Sequence, residues 1–140
     1  MTLSDRTRHR LRLAAIWIPT ALLLLIFLPQ GWAKFSAVSG WAAAFRHWGY
    51  PAWFRILVGI AELSGCVMLL WGRTAVFGAL LLIAVMLGAW GTHLAFDHGR
   101  NMTSEIVPLT LATIVLLGRR RRRDTSAPPT VSVTTAAPSP

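Results

Sequence analysis

Leu13-Ala-Ala-Ile-Trp-Ile-Pro-Thr-Ala-Leu-Leu-Leu-Leu-Ile-Phe-Leu28 carries no ionisable side chain, and only Pro19 and Thr20 interrupt its apolar run. With its flanks it extends over roughly 11–33, more than the ~20 residues a helix needs to cross a bilayer. Upstream lie Arg6, Arg8, Arg10 and Arg12; downstream the run closes at Pro29-Gln30-Gly31-Trp32. A basic n-region, and Gly31-Trp-Ala33 as a small-x-small site, also admit a secretory signal. The length of the apolar run, and the further spans after it, favour a helix that stays in the protein.

The rest of the chain repeats the pattern. Apolar residues make up 54 % of the 140 residues and charged residues only 14 %, against roughly 25 % in soluble domains. Most of the charge sits in the two tails, so lipid rather than water must cover the middle. Further spans are expected at roughly 52–71, 74–95 and 103–118, the last being short. Its apolar run, Ile106 to Gly118, needs Met102–Glu105 or the first arginines to complete a crossing. Within 35–51, Val38, Trp41, Ala42, Phe45 and Trp48 recur at helical spacing. They predict a short amphipathic helix in the headgroup region, broken by Gly49 and Pro51. The expected fold is all-α, a polytopic membrane four-helix bundle with one short interfacial helix. A basic N-tail (1–11) precedes the bundle domain (12–118). A basic anchor and disordered tail (119–140) follows, opening with Arg119 to Arg123.

Charge asymmetry orients these spans. Four crossings put the N-tail, the 72–73 turn and the C-tail on one side, with ten of the 14 basic residues: Arg6, Arg8, Arg10, Arg12, Arg73 and Arg119 to Arg123. Such a side is cytoplasmic, so both termini are expected in the cytoplasm of a multi-pass cell-membrane protein. The net charge of +9 belongs to these flanks, and no nucleic-acid motif accompanies it. The single cysteine, Cys66, excludes an internal disulfide and reads as a packing residue. The four histidines lack metal-ligand spacing. No metal site is expected.

The informative side chains are the ionisable ones within or beside the spans. A charge at the bilayer centre costs ~2.5–3.5 kcal/mol on insertion scales, so Glu62 must face inward and find a partner. Arg55, Gly59, Glu62 and Cys66 fall on one stripe of the second span, opposite Ile56, Leu57, Val67 and Leu70. Arg55 stands two turns from Glu62; a direct pair requires both side chains to reach towards each other, a water bridge serves equally, and the spacing leaves open whether the two pair. In the third span Met86, Ala89, Trp90, His93 and Asp97 share a stripe, with His93 and Asp97 as i, i+4 neighbours able to hydrogen-bond. The topology brings Gln30, Lys34, Arg55, His93 and Glu105 to the outer end, above Glu62. These six are the candidate polar pocket. The bland alternatives are solvated interface residues for Lys34, Asp97, Arg100 and Glu105, and a structural ion pair for Glu62. No catalytic residue is identifiable.

Gly31-Trp-Ala-Lys34-Phe35, Gly49-Tyr-Pro51, Gly59-Ile-Ala-Glu62-Leu63-Ser-Gly65 and Met86-Leu-Gly-Ala89 resemble the DoxX and DoxX-like membrane proteins over residues 12–118. The resemblance implies a four-helix membrane bundle. It also implies a loose association with membrane redox chemistry, including quinone-coupled oxidation of sulfur compounds. By resemblance, Lys34, Arg55 and Glu62 occupy recurrent polar positions. The arginine run and the tail after it are not part of that pattern. Three functions are open. The first is a redox-associated subunit that binds a quinone or similar molecule, with Lys34 or Arg55 polarising a carbonyl, Glu62 or His93 exchanging protons and Trp90 packing on the ring. The second is a non-catalytic assembly component, and the third a small proton-coupled transporter. No cofactor motif is evident and a quinone is the ligand considered. The bilayer is the expected partner, with a redox protein or further copies of the chain beside it.

Overall fold

The computed structural model describes residues 3–97 and 103–125. They form five helices and, among the described residues, no strand: α1 (Leu3–Ala33), α2 (Gly40–His47), α3 (Ala52–Leu70), α4 (Ala75–Phe96) and α5 (Thr103–Thr125). Three segments are long and apolar enough to cross a membrane: Leu13–Ala33, Ala52–Leu70 and Ala75–Phe96. α5 is as long as these, but its arginine run makes it polar on average. Both outer helices overrun the expected spans. α1 begins at Leu3 and α5 continues through the arginines to Thr125, since Arg and Leu are good helix formers wherever solvent accepts the charge. The tail from 126 and the segment 98–102, with Arg100, lie outside the described residues.

The four long helices pack in the cyclic order α1, α3, α4, α5. Each contributes to one core, with Leu23 and Phe27 from α1, Cys66 and Leu69 from α3, Ala79, Leu82 and Met86 from α4, and Ala112 and Val115 from α5. Outward-facing positions are apolar as well, among them Leu25, Leu57, Val67, Phe77, Leu87, Leu94 and Val107. A helix surface apolar all round belongs in lipid. In that solvent burial of apolar surface gives little drive for helix association, and close packing takes over.

Glycines set the two closest approaches. Where α3 meets α4, a Cβ on Gly78 would lie 2.8 Å from the carbonyl oxygen of Gly65 and 2.8 Å from Met68 Cβ. Where α1 meets α3, a Cβ on Gly59 would lie 3.0 Å from the carbonyl oxygen of Gly31 and 3.1 Å from Lys34 Cβ. Thr20, inside the core, satisfies its hydroxyl by donating to the Ile16 carbonyl at 2.6 Å.

The segment between α1 and α3 folds back over one end of this assembly. Ser39 caps α2, its Oγ accepting from the Ala42 N–H. Gly49 ends the turn in the left-handed region, φ 75°, which glycine enters without a Cβ clash. The amphipathic pattern of 35–51 is therefore a helix, but its apolar side has turned onto protein. Ala42, Phe45 and Trp48 are buried, and α2 packs on α3.

These packing distances carry a direct expectation. Gly78→Ala forces a methyl against backbone and should lower stability by about 1–3 kcal/mol, the usual overpacking penalty. Gly91→Ala meets nothing within 4 Å and should leave the unfolding midpoint of detergent-solubilised protein unchanged. Equal midpoints for the two variants would contradict this packing.

Candidate functional site

The end of α1 and the middle of α3 meet in one buried ion pair. The Gly31–Gly59 contact lets Lys34 reach across, and its ammonium donates to both oxygens of Glu62, at 3.0 and 2.8 Å. The two side chains are only 4 % and 3 % exposed, so both charges are satisfied where water is scarce. Lys34 Nζ also lies 4.0 Å from the centroid of the Trp41 ring, close enough for a cation–π contact.

Arg55 is not the partner of Glu62. Its Nη1 donates instead to the main-chain carbonyls of Lys34 and Ser36. Those carbonyls lie just past the end of α1, where no helical N–H donates to them. Arg55 therefore fixes the backbone that carries Lys34. Helical spacing on α3 could show that Arg55 and Glu62 share a face. It could not show that the chain leaving α1 passes between them.

A second cluster ties three helices together at the same end. His93 Nδ1 lies 2.6 Å from Asp97 Oδ2, the expected i, i+4 contact, and its Nε2 lies 3.3 Å from Glu105 Oε1 at the start of α5. Trp48, at the end of α2, donates its indole N–H to both Asp97 oxygens at 3.2 Å and packs edge-on against the His93 ring. His47 Nε2 stands 3.7 Å from Asp97. Tyr50 and Thr92 share a hydrogen bond of 3.1 Å. The His93 hydrogen bond, foremost, and the Trp48 bond and nearby imidazoles after it, hold the Asp97 carboxyl below its ordinary range, against a smaller opposing effect of burial.

Between the two clusters lies a cavity of about 1140 Å³. Gln30, Lys34, Glu62, His93 and Glu105 all line it, and Arg55 does not. Trp90 does not reach it either and stands 41 % exposed on the outer face of α4. The aromatic wall comes from elsewhere, from Trp41, Phe45, Trp48, Tyr50 and Phe54. The spacing of Trp41, Phe45 and Trp48 was legible and that of Tyr50 and Phe54 was not; periodicity alone does not distinguish a face turned to lipid from one turned onto a cavity. Asp97 was legible on its stripe; its bond to Trp48, 49 positions away, left no local signal. Among the described residues no cluster of His, Cys, Asp and Glu is arranged to hold a metal ion.

The depressed Asp97 value gives a pH dependence of definite sign. A carboxylate whose folded pKa is lowered adds stability that is fully present above its unfolded value, near 3.8. That stability is lost as pH falls through the lower folded value. The difference in unfolding midpoint between wild type and Asp97→Asn should thus be constant from mildly acid pH down to about that ordinary value, and shrink below it. A difference that grows on acidification within that acid range would reverse the sign and refute the assignment.

A sequence profile described as the DoxX-like family matches residues 18–117. The uncharacterized protein YdgD of Bacillus subtilis (strain 168) is 34 % identical over 76 residues, 51 % of this chain and 67 % of its own length. The uncharacterized protein YwoB of the same organism is 26 % identical over 86 residues, 61 % of this chain and 56 % of its own length. The chain thus spans little more than half of that second relative. No solved structure matches significantly. The profile covers both parts of the site, from the Lys34–Glu62 pair to the His93 cluster, and among the described residues three helices are long and apolar enough to cross a membrane: the chain belongs to the DoxX-like family and is a membrane protein.

Proposed function

We propose that this protein is a redox-associated membrane subunit whose cavity binds a quinone or a similar small carbonyl-bearing molecule. The observation that carries this reading is the make-up of the cavity: an apolar, partly aromatic wall with a few convergent polar groups, as small-molecule sites usually have. An ammonium has three N–H bonds, and Lys34 gives two contacts to Glu62. One N–H remains for the Trp41 face or for the carbonyl oxygen of a ligand. On the far side His93, between two carboxylates, is a group able to exchange protons. A flat conjugated ring would stack on Trp41, Phe45 or Trp48. The chain has no thiol pair and no flavin motif, so electrons would come from a partner protein.

This reading takes α5 as a fourth crossing. Glu105 at its start stands beside His93 near the end of α4. Arg119, towards its other end, donates to the Leu69 carbonyl at the end of α3 and lies 5.1 Å from the Trp17 ring near the start of the apolar part of α1. α5 therefore matches its neighbours in height, with long arginine stems able to snorkel at the boundary. With the basic flanks cytoplasmic, both termini lie on the cytoplasmic side of the cell membrane and the cavity faces the opposite side.

One observation favours a second reading. The Lys34–Glu62 pair is fully enclosed and joins α1 to α3, as a structural element of an assembly component would be.

Equilibrium dialysis of the purified protein against a short-chain benzoquinone separates the two. The first reading expects saturable binding, weakened at least about tenfold, or ~1.4 kcal/mol, by Glu62→Gln in protein that remains folded. Absence of saturable binding by the wild type would leave the assembly role.

A further inference from the structure

Both ring nitrogens of His93 face carboxylate oxygens, Asp97 at 2.6 Å and Glu105 at 3.3 Å. A neutral imidazole has one N–H and one lone pair. It can satisfy one of these carboxylates, but then turns a lone pair on the other. The arrangement is complete only with one more proton, carried by the imidazole as imidazolium or by Glu105 as a carboxylic acid. We infer that Asp97, His93 and Glu105 form a proton-binding site, and that its proton holds α2 closed over the cavity.

The link to α2 runs through Asp97. The polar contacts that join α2 to α4 converge on this one carboxylate, as the Trp48 indole N–H reaches both its oxygens and His47 stands beside it. Asp97 itself is badly placed without His93. It is the C-cap of α4, at the negative end of the helix dipole, and is compensated there by the imidazole.

When the proton leaves, the cluster gains one negative charge. The two carboxylates then repel across the ring, in a setting where Glu62 adds a third negative charge near Glu105 and Lys34 a positive one. Glu105 is 12 % exposed and Asp97 17 %, and Asp97 lies at a helix end with the dipole against it. Asp97 is therefore the group that turns to water, and the acceptor of Trp48 goes with it. α2 keeps its contacts with α3 through Phe45 and Phe54 and swings on that side, while the Tyr50–Thr92 bond holds the turn after it to α4. Proton release opens the cavity and proton uptake closes it. This coupling needs no ligand, so it can be read on the empty protein whether or not a quinone binds.

Hydrogen–deuterium exchange of the backbone amides of α2, in the full chain in detergent or nanodiscs, tests this. Rates are corrected for the intrinsic effect of pH. Between mildly acid and mildly alkaline solution the protection of α2 should fall at least about ten-fold, while that of α3 stays level. Glu105→Gln offers an amide N–H to the neutral imidazole, so α2 should remain protected at alkaline pH. His47→Gln should leave the wild-type response in place. His93→Gln should abolish it, and Glu105→Gln carries the test if that variant does not fold. A wild-type α2 whose protection ignores pH, a Glu105→Gln protein that still opens, or a response lost with His47→Gln would each overturn the inference.

Discussion

One buried ion pair organises the cavity end of this protein. Glu62 sits in the middle of a helix that lipid surrounds, and its charge is tolerable there only with a cation within hydrogen-bond reach. Lys34 supplies that cation from the far end of another helix. Three features exist in its service. Gly31 and Gly59 let α1 and α3 come close enough, Arg55 secures the main-chain carbonyls of Lys34 and Ser36, and Trp41 covers the ammonium. A buried pair of this kind contributes little net stability compared with apolar residues of the same shape, yet it is costly to break, because the remaining charge has nowhere to go. It fixes which faces meet more than how tightly they hold.

The second cluster complements the first across the cavity. Lys34 and Glu62 neutralise each other directly, whereas Asp97, His93 and Glu105 need a proton to come to rest. One side of the cavity is thus electrostatically closed and the other adjustable. The adjustable side also holds α2, so the same few groups that would meet a ligand also decide whether the cavity is covered. Aromatic side chains from α2 and the following turn give the space between the clusters a wall suited to a flat apolar molecule.

Much of this was written in local patterns. Apolar length gave the three helices that qualify as spans. The spacing of Arg55, Gly59, Glu62 and Cys66 gave the inward stripe of α3, and all four are buried. The i, i+4 relation of His93 and Asp97 gave their contact. What periodicity could not give was partner choice between elements. Lys34 stands 28 positions from Glu62 and Arg55 only seven, and spacing along one helix does not decide between the two cations. Trp90 shared a stripe with His93 yet faces outward, because a stripe a helix-third wide includes residues at its edge. The amphipathic pattern of 35–51 predicts a helix, and Trp41, Phe45 and Trp48 on it line a cavity. Hydropathy is blind to whether the apolar neighbour is lipid or protein.

The central claim is that Lys34 and Glu62 act as one unit, and a double-mutant cycle on the unfolding free energy measures this most directly. Lys34→Met and Glu62→Leu should each destabilise the protein by about 3–5 kcal/mol, since each leaves a buried charge alone. The double variant, with no charge left to strand, should lose far less than the sum of the two. Strictly additive losses would contradict the pair and return Glu62 to a partner elsewhere.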